Sequence, residues 1–163
     1  MILFKIKAKL ILIKSAFKYG LFVVLLSLIL GSCNDNVQSS IPTFPVYLEL
    51  NLATTYTTFK DNINESLTFV KRINEIDRIG FGGILVYVGF DGQYYAFDMC
   101  CPYEAEQNVR VYPNDIGQAV CEKCGSVFDI GYGIGNPSSG PAKEVLKRYR
   151  AALSGNILLI TNR

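Results

Sequence analysis

Cys101-Pro102-Tyr103 is followed after seventeen residues by Cys121-Glu122-Lys123-Cys124-Gly125. Two cysteines two residues apart, with a glycine behind them, form a knuckle that can grip one metal ion while the glycine eases the turn. Cys101 is the natural third thiolate. The 163 residues include no histidine. That removes imidazole as a metal ligand, removes the usual neutral-pH acid/base, and excludes Ser-His-Asp and Cys-His catalysis. A stand-alone enzyme is therefore disfavoured.

Outward from this stretch the pattern is that of short strands. Leu48, Leu50 and Leu52 alternate with Glu49 and Asn51, the period of two that buries one face of a strand. A short strand is expected at Leu67–Lys71, although Ile63, Leu67, Val70 and Ile73 also keep helical spacing. Ile84–Val88 is continuously apolar, and Asp91-Gly92 separates it from Tyr94-Tyr95-Ala96-Phe97, a strong hairpin signal. Further strands are expected at Val109–Tyr112, Gln118–Cys121, Ser126–Ile130, Leu146–Leu153 and Ile157–Ile160, with Pro113-Asn114-Asp115 and Ser154-Gly155-Asn156 as turns. Many short strands, Gly/Pro punctuation and no long amphipathic helix predict an all-β fold, a small antiparallel sandwich or barrel.

The order of these pieces resembles a Rieske-type [2Fe–2S] domain over roughly Val46–Ile160. In that family a C-x-H box is followed, fifteen to seventeen residues on, by C-x-x-H-G, then a strand with Phe-Asp, a Gly-Pro loop over the cluster and a final hairpin. Cys101-Pro102-Tyr103 stands for the first box and Cys121 to Gly125 for the second, while Phe128-Asp129 and Gly140-Pro141-Ala142 match the later features. Both cysteine positions are kept. Tyr103 and Cys124 replace the two histidines, so the resemblance implies the fold and leaves the Rieske centre without its imidazole ligands.

Two readings of the site stay open. In the first, Cys101, Cys121 and Cys124 hold a [2Fe–2S] cluster or zinc for electron transfer or metal binding, with Cys100, Tyr103 or water as fourth ligand. Cys100 adjoins Cys101, and neighbouring side chains in an extended chain point to opposite faces. Tyr103 would need the metal to deprotonate a phenol that titrates near ~10. In the second, no cofactor is bound, and disulfides or free thiols stabilise a binding scaffold.

The N-terminus has its own signature. Lys5, Lys7, Lys9, Lys14 and Lys18 precede the apolar run Leu21–Leu30, and Gly31-Ser32-Cys33 follows. This is a secretory signal pattern, and the apolar run is only half of the ~20 residues a spanning helix needs. Leu30-Gly31-Ser32-Cys33 resembles the lipobox of bacterial lipoproteins. The expected organisation is a signal peptide over residues 1–32, lipidated Cys33 with a flexible tether over residues 33–45, and the β domain over residues 46–163. The lipid would anchor the protein to a bacterial membrane with its domain outside the cytoplasm, periplasmic or at the cell surface, where thiols without metal usually become disulfides.

Five of the sixteen basic residues lie in the leader, so the chain from Cys33 carries eleven against fourteen acidic ones. No basic field is left for nucleic acid, and the expected partners are the membrane, through the anchor, and a redox or binding protein. Glu104 and Glu106 read as a solvated loop face. The glycine-rich segment Gly131–Gly140 lacks a phosphate-loop Lys-Ser/Thr. Lys143, Lys147, Arg148 and Arg150 read as the wet face of an edge strand.

Overall fold

The computed structural model describes residues 39–162. The expected signal peptide, Cys33 and the first part of the tether lie outside these. The described residues form eleven strands and no helix: β1 (Val46–Asn51), β2 (Ser66–Phe69), β3 (Arg78–Ile79), β4 (Ile84–Val88), β5 (Tyr94–Asp98), β6 (Val111–Pro113), β7 (Gln118–Cys121), β8 (Val127–Asp129), β9 (Asn136–Ser139), β10 (Arg148–Ser154) and β11 (Ile157–Thr161). All pairings are antiparallel, as the sequence predicts. Seven strands form one sheet in the order β2-β4-β5-β10-β11-β1-β3, and β6-β7-β8-β9 form a second. The large sheet curls into a nearly closed barrel. Phe69 of β2, at one edge, accordingly meets Leu48 of β1 and Ile160 of β11, neighbouring strands near the other edge, in one interior cluster.

The apolar run of β4 explains how two cores are built. All five of its side chains are buried, with Ile84, Val86 and Val88 turned into the barrel and Leu85 and Tyr87 into a second cluster. That second cluster is completed by Phe97 and Met99, by Ala119 and Phe128 of the small sheet, by Leu146, and by Cys101 and Cys121 themselves. Alternation in an antiparallel strand normally leaves one face wet; here the small sheet covers the other face.

Local differences from the sequence reading have clear causes. Ile63, Val70 and Ile73 are exposed, so their helical spacing has no surface to bury against, and β2 forms instead by pairing with β4. β3 and β9 are too short and polar to register as periodic patterns; β9 pairs with β8 inside the glycine-rich segment. β10 is not an edge strand, since it lies between β5 and β11. Lys147 is likewise no wet-face residue, because Nζ donates to the carbonyls of Ile41 and Pro42, both at 3.0 Å.

The same contacts correct the expected tether. From Ser40 the chain is tied to the domain although residues 42–45 stay exposed: Ile41 is buried at 1% exposure, Ser40 Oγ donates to the Pro102 carbonyl at 2.9 Å, and Ser40 N donates to Glu144 Oε2 at 2.9 Å. One buried branched side chain and a set of long-range hydrogen bonds suffice to order a segment whose composition looked like linker.

Asp98 closes β5 and is fully buried. Its carboxylate accepts from the amides of Phe81 and Gly82 at 2.9 Å each, from the amide of Cys100 at 2.7 Å, and from the hydroxyl of Tyr149. Removing an acceptor from several buried donors leaves each at a cost of roughly 1–3 kcal/mol. Asp98→Ala is therefore expected to destabilise the domain by at least about 3 kcal/mol, read as a lowered midpoint in urea unfolding of the reduced protein; an unchanged midpoint would contradict this role.

Candidate metal centre

The three cysteines arrive from two loops. In the first, Cys101 N donates to the Val109 carbonyl at 3.0 Å and Ala105 N closes a turn on the Cys101 carbonyl at 2.9 Å. In the second, which joins β7 to β8, Gly125 N donates to the Cys121 carbonyl at 2.8 Å and Cys121 N to the Ser126 carbonyl at 2.9 Å. Gly125 has φ of +71°, the left-handed conformation that a knuckle requires and a side chain resists. These loops bring the sulfurs of Cys101, Cys121 and Cys124 within 4.8 Å of one another. The Cys101 and Cys124 sulfurs are 3.7 Å apart. All four described cysteines are free thiols.

A third loop closes behind them. Ser126 is buried, its Oγ lies 3.1 Å from Cys124 Sγ, and it accepts the amide of Ala142 at 3.1 Å. A Cβ on Gly140 would fall 2.5 Å from Ser126 Cα, so glycine is needed where the Gly-Pro loop crosses. On the outer side, Lys123 Nζ reaches from the second loop to Glu104 at 2.8 Å and Glu106 at 2.9 Å of the first. These two hydrogen-bonded carboxylates raise the lysine pKa above its ordinary value. Glu104 and Glu106 thus serve to tie the loops together as well as to face solvent.

Of the two remaining ligand candidates, Cys100 lies outside the group of three sulfurs. Cys100 is buried, and its thiol donates to the Glu106 carbonyl at 3.3 Å, while its backbone is fixed by Asp98 and by a bridge to Arg110. Tyr103 is 56% exposed. Burial first, and the nearby Asp98 charge second, push the Cys100 thiol up to about 12. Burial likewise pushes Cys101 up to about 12. Desolvation opposes ionisation of Cys124 too, but hydrogen bonds from the Ser126 hydroxyl and amide and from the neighbouring thiols outweigh it and hold this thiol below its ordinary value. Half-exposed Cys124 is the point at which the site opens to solvent.

Sequence reasoning missed Ser126, Asp98 and Lys123. Ser126 and Lys123 have no distinguishing pattern. Asp98 had one, a lone carboxylate ending an apolar strand two residues before a cysteine pair.

No protein-family model matches the chain, and no curated protein matches it. Solved structures do. The chain is similar to a component of the complex of reduced oxygenase and oxidized ferredoxin in carbazole 1,9a-dioxygenase, at 15% identity and a TM-score of 0.47, covering 72% of this chain and 94% of that one. It is similar to a ferredoxin of Sphingomonas yanoikuyae B1, at 17% identity and a TM-score of 0.43, covering 63% and 89%. It is also similar to the ferredoxin of carbazole 1,9a-dioxygenase from Nocardioides aromaticivorans IC177, at 18% identity and a TM-score of 0.45, covering 73% and 98%. Such likeness concerns fold alone, and a fold does not bring its chemistry with it.

The thiolate is the reactive form of cysteine. In reduced, metal-free protein at pH 8, iodoacetamide should therefore modify Cys124 at least about tenfold faster than Cys100 or Cys101, as followed by peptide mapping. The thiolate fractions of Cys100 and Cys101 keep growing up to about 12 while that of Cys124 saturates earlier, so the gap should narrow as pH rises. Equal rates at pH 8 would contradict the assigned environments.

Proposed function

We propose that the chain is a lipid-anchored extracytoplasmic protein whose Rieske-like domain binds a thiophilic metal through Cys101, Cys121 and Cys124, and that in an iron form it exchanges electrons with a protein partner. The observation that carries this reading is the convergence of three sulfurs within 4.8 Å, from loops fixed by Asp98, Ser126 and Gly140. Preorganised thiolates are the donor set of zinc and iron sites. Anchoring rests on the lysine-rich leader, the short apolar run and Leu30-Gly31-Ser32-Cys33. More than one acyl chain at Cys33 would give stable attachment, where a single chain gives only marginal binding.

A second reading is favoured by one distance. The Cys101 and Cys124 sulfurs at 3.7 Å need a modest approach to reach the ~2.05 Å of a disulfide, and an oxidising compartment would promote that bond. The domain would then be a cofactor-free binding scaffold.

Two measurements test these proposals. Replacing Cys33 with alanine should abolish lipid labelling and hinder removal of the leader; labelling and processing like those of wild type would overturn the anchor. Protein purified anaerobically should contain iron or zinc, and Cys124→Ser should lower the metal affinity by more than the roughly 10–100-fold that loss of a ligand's hydrogen-bond partner costs. Metal-free protein with a Cys101–Cys124 disulfide would favour the scaffold instead.

A further inference from the structure

We infer that this site takes a single thiophilic divalent ion, held by three thiolates with an open fourth position, and not a two-iron cluster. The inference rests on the metal-binding reading above and specifies its nuclearity. A thiolate lies about 2.3 Å from a zinc ion, so two thiolates on one tetrahedral ion are about 3.8 Å apart, the edge of that tetrahedron. The Cys101 and Cys124 sulfurs are 3.7 Å apart, and Cys121 lies within 4.8 Å of both.

A Rieske-type arrangement would divide these same residues differently. Cys101 and Cys121 stand at the thiolate positions of one iron, and Cys124 at a histidine position of the other. Ligands on different irons are separated by the metal–metal distance plus the outward slant of each bond, which places them well beyond a tetrahedral edge. A cluster would hold Cys124 apart from both Cys101 and Cys121, yet its sulfur lies 3.7 Å from that of Cys101 and within 4.8 Å of that of Cys121. With no imidazole in the chain and Cys124 drawn in beside Cys101, the residues do not fit a Rieske cluster.

The fourth position is open because neither candidate occupies it. Cys100 is engaged with the Glu106 carbonyl, and Tyr103 projects into solvent. Cys124, at the exposed side of the trio, marks where water or a small anionic or thiol ligand would complete the shell. Such an ion is of the zinc or ferrous class, and metal analysis separates the two.

The test uses the protein as cells accumulate it, purified anaerobically in detergent without a histidine tag. Metal and acid-labile sulfide are measured, and cobalt(II) is then substituted for the native ion. The expected result is one iron or zinc per chain, no sulfide, and intense thiolate-to-cobalt bands that shift on adding 2-mercaptoethanol. Cys100→Ser should leave both stoichiometry and spectrum unchanged, whereas Cys121→Ser should abolish the tetrahedral spectrum. Two irons with two sulfides per chain would overturn the single-ion inference while leaving the metal-binding proposal standing. Loss of metal in Cys100→Ser, or cobalt bands indifferent to added thiol, would overturn the open position. Protein that takes up neither native metal nor cobalt would overturn both readings.

Discussion

The buried carboxylate of Asp98 is the constraint on which the cysteine end of the molecule depends. It gathers the amides of Phe81, Gly82 and Cys100 and the hydroxyl of Tyr149 around one side chain, joining the turn before β4, the first cysteine loop and β10. Four donors satisfy an anionic acceptor that burial alone would penalise heavily. Burial first and the adjacent Asp98 second hold the Tyr149 phenol above its ordinary pKa, so it keeps its proton and donates to the carboxylate. Because Cys100 N is one of the four donors, the direction in which Cys101 leaves β5 is set by the core.

From that anchor the site follows by packing. Cys101 and Cys121 are members of the second hydrophobic cluster, beside Met99, Val111, Ala119 and Phe128, and so are held as rigidly as core side chains. Cys124 is not. It sits on a loop tip secured by Gly125, by Ser126 and by Lys123 bridging to Glu104 and Glu106. Exposed ion pairs of this kind contribute little stability, and their value here is to keep two loops in register. Two sulfurs fixed by the core and one on a partly exposed loop would suit the proposed entry of a metal ion.

The strand pattern was legible wherever periodicity or turn chemistry was strong. Leu48, Leu50 and Leu52 marked β1, Asp91-Gly92 marked the hairpin of β4 and β5, and the spacing of the cysteine boxes marked loops that do meet. The tied segment from Ser40 was not legible, because its order comes from Ile41 filling the interior and from partners such as Pro102, Glu144 and Lys147, far away in sequence. Nor was the separation of Cys100 from the trio readable in full: alternation predicted opposite faces, but the Glu106 carbonyl that engages its thiol is a product of the loop's fold. Tertiary hydrogen bonds leave little trace in one sequence, whereas burial periodicity does.

The central claim, that three thiolates meet at one ion, is tested most directly by X-ray absorption at the metal edge of anaerobically purified protein. The spectrum should show a shell of about three sulfurs near 2.3 Å, one lighter donor, and no metal–metal scattering. A short metal–metal vector, or a shell with fewer than three sulfurs, would contradict it.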